Sequence, residues 1–184
     1  MRWDELFDDL EAQFAEVETA DLAAEVTDRS RRELSLLRLV DRLRPVIGRP
    51  LSLRLMGAGV IEGELTAVGP DWVLLAEGGG REALVATRAV LWIGGLAAQT
   101  AVPHGEGQVA ARLDLAYALR GIVRDRSPVA LTLMDGSTAA GTLDRVGADF
   151  VEVAEHAPGE PRRHDAVRAV RAYPLTSLVV VRRA

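Results

Sequence analysis

A gapless self-match at an offset of 78 residues constrains this chain more than any other feature. Pro50-Leu51-Ser52-Leu53-Arg54-Leu55-Met56 lies over Pro128-Val129-Ala130-Leu131-Thr132-Leu133-Met134. Gly63-Glu64-Leu65 lies over Gly141-Thr142-Leu143, Val68-Gly69 over Val146-Gly147, and Asp71-Trp72-Val73 over Asp149-Phe150-Val151. Across positions 50–77, twelve of 28 residues are identical, where ordinary residue frequencies give roughly two or three. The chain carries one supersecondary unit twice.

Each unit has the period of β-structure. Leu51, Leu53 and Leu55 alternate with Ser52 and Arg54, and Val129, Leu131 and Leu133 repeat the pattern, as half-buried strands require. Gly57-Ala58-Gly59 and Asp135-Gly136 then mark turns; the Asp-Gly pair predicts a tight hairpin with positive φ at both central residues. Second strands follow over 60–68 and 137–146. Gly63 and Gly141 interrupt them at equivalent places, where a glycine marks a bulge or sharp bend. Third strands begin at Trp72 and Phe150. Fourth and fifth strands are expected near 82–86 and 90–94, and near 166–172 and 177–182. Val85 matches Tyr173 at an offset of 88, so the second copy carries about ten extra residues, including His156 to His164.

Helical signals precede each copy. Ser30-Arg31-Arg32-Glu33 fits a capping box, Leu34, Leu37, Val40 and Leu43 share one face, and Pro45 stops the run. Val109, Leu113, Ala116, Leu119 and Val123 keep similar spacing before the second copy. At the start of the chain, Trp3, Leu6, Phe7, Leu10, Phe14 and Val17 form an apolar stripe on an acidic helix. The expected organisation is an acidic amphipathic helix over 1–28, a helix and first barrel over 29–96, a linker over 97–107, and a helix and second barrel over 108–184. The fold class expected is α+β, mainly β.

Composition narrows the chemistry. The 184 residues contain no cysteine, which removes disulfides, thiolate metal sites and thiol nucleophiles. All 22 basic residues are Arg, and neither Lys nor Asn occurs, a bias that suggests a high-GC bacterial genome. Nothing reads as a signal peptide or membrane span, so a cytoplasmic protein is expected. Charge is segregated: residues 1–28 hold ten acids and one Arg, whereas 156–184 hold six Arg and two acids.

A helix followed by a strongly bent five-stranded unit, with Leu55-Met56-Gly57, Gly63-Glu64-Leu65 and Val68-Gly69-Pro70-Asp71, resembles the Sm-like (LSm) family. Leu133-Met134-Asp135-Gly136, Gly141-Thr142-Leu143 and Val146-Gly147-Ala148-Asp149 carry the same likeness in the second copy. A Src-homology-type small barrel shares much of this pattern. The resemblance implies two tandem five-stranded barrels. It also implies RNA binding, but the family's RNA-contacting residues are not matched. Gly69 and Gly147 stand near the usual Asp position, no Asn exists, and Trp92-Ile93-Gly94-Gly95 and Val179-Val180-Val181-Arg182 lack the Arg-Gly pair.

The remaining candidates follow from residue type. Arg162, Arg163, His164, Arg168, Arg171 and Tyr173 combine guanidinium donors with a stacking ring and form the candidate anion or RNA site. The Trp3, Leu6, Phe7, Leu10, Phe14 and Val17 stripe is the candidate partner-binding face. His156 and His164 lie eight apart in a Pro/Gly loop, which is no known metal-ligand spacing, and no nucleophile-elbow motif occurs. No enzyme, cofactor or metal is expected. The reading is a non-catalytic interaction or scaffold protein that binds a protein partner or itself, with RNA binding as the alternative and no membrane association.

Overall fold

The computed structural model describes residues 29, 31–101, 112–160, 162, 163 and 165–183. The chain divides into two units, Met1–Arg38 and Leu39–Ala184. In the first, residues 31–35 are helical, with Arg29 bonded to Glu33 one turn on. The stripe from Trp3 to Val17 lies outside the described residues.

The single helix expected from Ser30 to Pro45 is broken. Its first part closes with three-residue hydrogen bonds, Leu36 N–H to Glu33 O and Leu37 N–H to Leu34 O. Such bonds tighten and end a helix. A short helix α1, Leu39–Leu43, follows, and Pro45 sits inside a 3-10 turn, Arg44–Val46, where its missing N–H costs nothing.

The second unit is mostly β. Among the described residues ten strands form one antiparallel sheet: β1 Pro50–Leu55, β2 Gly59–Val68, β3 Trp72–Glu77, β4 Arg81–Ala86, β5 Val90–Gly94, β6 Pro128–Leu133, β7 Thr138–Val146, β8 Phe150–Glu155, β9 Ala169–Pro174 and β10 Leu178–Arg183. Their order is β5-β1-β2-β3-β4-β10-β6-β7-β8-β9. Each repeat therefore runs fifth-first-second-third-fourth, and the two join where β4 pairs with β10.

The repeats agree rung by rung. Leu53 faces Ile93 and Leu131 faces Val181; both pairs of strands shift register at the same place, after Arg54 and near Val180. Bulges fall at Leu65/Ala67 and at Leu143/Arg145. Trp72 faces Ala86 and Phe150 faces Pro174, so the offset changes from 78 to 88 across the third hairpin, as the sequence match requires. A Cβ on Gly63 would lie 2.6 Å from the Ala76 carbonyl oxygen, and one on Gly141 would meet the Ala154 carbonyl. Only glycine lets these second strands approach the third so closely.

One turn differs from expectation. Gly136 has φ +84°, but Asp135 is not in the positive-φ region. Asp135 instead accepts the Ser137 N–H at 2.9 Å and the Ser137 hydroxyl at 2.6 Å. Gly136 N–H closes a turn on Leu133 O. A side-chain-stabilised turn with one left-handed glycine replaces the two-residue hairpin.

Helix α2, Leu115–Asp125, begins on the Asp114 cap, whose carboxylate accepts the Tyr117 N–H at 2.8 Å, and ends with Arg126 at φ +50°. Val109 lies outside the described residues. Of the expected linker, 97–101 is described and is pinned: Arg42 donates to the carbonyls of Ala97 and Ala98, and Ala101 N–H bonds Asp41 O. No described helix is long and apolar enough to cross a membrane.

Two cores lie on opposite faces of the β4–β10 junction. Leu53, Leu65, Leu75, Ala83 and Val85 of the first repeat pack with Val179 and Val180 of β10. Leu119, Leu131, Leu143, Val153 and Val181 of the second pack with Leu84 and Ala86 of β4. Each repeat completes the other's core. That explains why Ala83-Leu84-Val85-Ala86 and Leu178-Val179-Val180-Val181 are unbroken apolar runs rather than alternating ones: both of their faces are buried.

Candidate interaction surface

The inner junction shows how this unit receives a strand. Val85, Leu84 and Ala83 on β4 face Val180, Val181 and Arg182 on β10. Arg182 bonds Glu77 of the first repeat through both carboxylate oxygens. Arg88 donates to the carbonyls of Thr176 and Leu178 at 3.3 Å. Trp72 Nε1–H bonds Leu113 O at 2.7 Å, and Asp71 accepts the Leu115 N–H at 2.8 Å. Burial raises the Asp71 carboxyl above its ordinary range, against the lowering effect of that bond, and Asp114 nearby raises it further. Between α2 and this junction lies an apolar cleft of about 200 Å³ lined by Trp72, Leu74, Leu84, Ala118, Ile122 and Val181.

The sheet leaves two outer edges, β5 and β9. Positions that the inner junction buries are open there. Val179 and Val180 on β10 are 0% exposed, whereas their equivalents on β5, Leu91 and Trp92, are 57% and 48% exposed. Val90-Leu91-Trp92-Ile93 is the same kind of unbroken apolar run as the one in β10, but only Val90 and Ile93 pack on the core, and Leu91 and Trp92 stay open. Arg171, Ala172 and Pro174 on β9 are exposed where Ala83, Leu84 and Ala86 on β4 are buried. Val170 is exposed beside them. An uncovered apolar strand edge offers both unpaired backbone groups and side-chain area to an added strand. Leu91 and Trp92 are already about half covered, so burying the rest would contribute about half of the roughly 1.5–3 kcal/mol that full burial of a large apolar side chain gives.

The basic candidates of the second repeat gather around β9 and the loop before it. Arg162 forms an ion pair with Asp144 at 2.8 Å, and Arg171 with Glu155 at 2.5 Å. Tyr173 donates its hydroxyl to the other oxygen of Glu155. Burial alone would raise the Glu155 carboxyl, but the Tyr173 and Arg171 hydrogen bonds outweigh it and hold the group below its ordinary range. Arg163 and Arg168 are exposed, and His164 lies outside the described residues. Three of the six groups chosen for an anion thus already serve a carboxylate.

His156 is a structural residue at the start of this loop. The residue is 3% exposed, and its ring bonds the Thr142 hydroxyl on one side and the Ala157 carbonyl on the other. Nδ1 lies 3.0 Å from Ala157 O, which only accepts, so Nδ1 carries the proton. Nε2 lies 2.9 Å from the Thr142 hydroxyl, with which it shares a hydrogen bond.

Sequence reasoning missed Leu91, Trp92, Val170 and Phe150 as surface candidates. The signal was present in the Val90–Ile93 run, which is apolar on both faces although among the described residues β5 pairs only with β1. No family model, curated protein or solved structure matches the chain.

Proposed function

We propose that this chain is a non-catalytic interaction module, a duplicated Sm-like barrel that presents an unpaired strand edge to a protein partner. The reading of each repeat as an Sm-like barrel is supported by the strand order, the preceding helix, and the glycine bends at Gly63 and Gly141. The observation that carries the interaction reading is the exposure of Leu91 and Trp92 where Val179 and Val180 are fully covered. Affinity capture with the whole chain and its Trp92→Asp variant tests it. A partner held by the first bait and lost by the second is expected; no partner at any salt concentration contradicts the reading.

RNA binding is the second reading, favoured by the exposure of Arg163 and Arg168 in the loop before β9. Binding of this kind rests on phosphate neutralisation and weakens steeply with salt. Filter binding to uridine-rich and adenine-rich strands tests it. Retention that falls as salt rises supports it, and no retention at low ionic strength removes it.

A further inference from the structure

We infer that the cleft between α2 and the β4–β10 junction binds a small primary amine with an apolar, ring-sized body, its ammonium end held at Glu82. The inference goes beyond the interaction reading and does not depend on the β5 edge.

The floor of the cleft is one continuous rung of the sheet. Leu74 on β3 faces Leu84 on β4, and Leu84 faces Val181 on β10. Trp72 lies two residues along β3, on the same face as Leu74. Ala118 and Ile122, one turn apart on α2, form the wall. Leu84 and Val181 are buried, whereas Trp72, Leu74, Ala118 and Ile122 are only half-buried. The helix packs chiefly on β7 of its own repeat, so its other flank stands off the β3–β4 floor and leaves the space open.

The walls are held in place before any ligand arrives. Trp72 Nε1–H bonds the Leu113 carbonyl, and Asp71 holds the Leu115 N–H at the start of α2. At the far end of the helix, Asp125 pairs with Arg183 of β10. A site fixed in advance spares the ligand the cost of ordering it.

Size and chemistry narrow the occupant. An apolar cavity of roughly 150 Å³ is enough for a benzene ring, and this cleft offers about 200 Å³. A ring with a short chain fits it. Water gains little there, because it needs about two to four polar partners. The aliphatic side chains offer none, and the Trp72 N–H is already bonded.

The mouth selects the charge. Glu82 and Arg183 border the cleft, and Glu82 lies two residues from Leu84 on the same face of β4. The Arg183 charge is answered by Asp125. Glu82 is exposed, and among the described residues nothing pairs with its carboxylate. An ammonium group at the end of the ligand supplies the donors that Glu82 lacks. A carboxylate in its place meets repulsion.

Titration of the full chain with 2-phenylethylamine, followed by amide chemical shifts, tests this. 2-Phenylethanol and 3-phenylpropionate serve as the neutral and anionic counterparts. The amine is expected to move the amides of Leu74, Leu84, Ala118 and Ile122, with a dissociation constant on the order of 0.1–1 mM for about ten non-hydrogen atoms. It binds about threefold tighter than the alcohol and about tenfold tighter than the carboxylate, as an exposed charge pair allows. Glu82→Gln brings the amine to the level of the alcohol. Ala118→Met fills the cleft and abolishes binding while circular dichroism stays unchanged; Ile122→Phe is the second filling variant should the first fail to fold. Sedimentation at the titration concentration gives a single chain. No localised shifts with the amine, equal binding of amine and carboxylate, or undiminished binding to the folded filling variant overturns the inference. So does a dimer that buries Ala118 and Ile122, because a second copy then occupies the cleft. None of these results bears on partner capture through Trp92.

Discussion

Arg182 on β10 grips Glu77 on β3 across the repeat boundary, Nε to Oε2 at 2.8 Å and Nη2 to Oε1 at 2.9 Å. The pair is mostly buried, with side-chain exposures of 26% and 12%. A forked guanidinium–carboxylate contact of this kind fixes orientation as well as adding energy. Replacing Arg182 with Met keeps the stem and removes both bonds. The expected cost is about 1.5–3 kcal/mol, measured by urea unfolding.

The same pair sets an acid limit. The hydrogen bond from Arg182 is the main influence on Glu77 and holds its carboxyl below the ordinary value. A carboxyl lowered by folding binds more protons when unfolded, so its contribution is complete above the unfolded value of about 4.5. It is lost as pH falls through the folded value. The stability difference between wild type and Glu77→Gln is therefore full at neutral pH and shrinks below about pH 4.5. Urea unfolding across that range reads it directly.

Gly57 and Gly136 bring the two repeats' first hairpins into backbone contact. A Cβ on Gly57 would lie 2.7 Å from both Gly136 N and Leu133 O, and Gly57 has φ +68°. Gly59 has φ +76° and nothing within 4 Å of such a Cβ. Gly59→Ala is expected to cost about 1–2 kcal/mol, the left-handed penalty alone. Gly57→Ala costs more, because rigid backbone must move as well. Equal losses in thermal unfolding would contradict the packing of these turns.

Thr142 tests the anchoring of the inserted loop. Thr142→Val keeps the shape but leaves His156 Nε2 buried without its hydrogen-bond partner, for an expected loss of about 1–3 kcal/mol. Thr142→Ser retains the hydroxyl and costs less. Chemical denaturation of the two variants compares them.

The strands were legible because β1, β2 and β6 bury one face, and one-sided burial writes a period of two into Leu51, Leu53 and Leu55. The duplication then extended that reading to weaker segments, including the offset that aligns Val85 with Tyr173. What the sequence left unread was non-local. The pairing of β4 with β10 depends on two segments about a hundred residues apart, and their apolar runs state only that both faces are covered, not by what. The break after Ser35 and the single left-handed residue at Gly136 reflect local hydrogen bonds that residue type alone does not decide. Arg162 and Arg171 looked available for an anion because Asp144 and Glu155 are distant in sequence and adjacent only in the folded sheet.

Amide hydrogen exchange on the dilute chain tests most directly that two equivalent units share one covered junction and leave two open edges. The account predicts strong protection along β4 and β10, with exchange faster by orders of magnitude along the outward-facing amides of β5 and β9. Equal protection of all four strands at dilution, or fast exchange at β4 and β10, would contradict it.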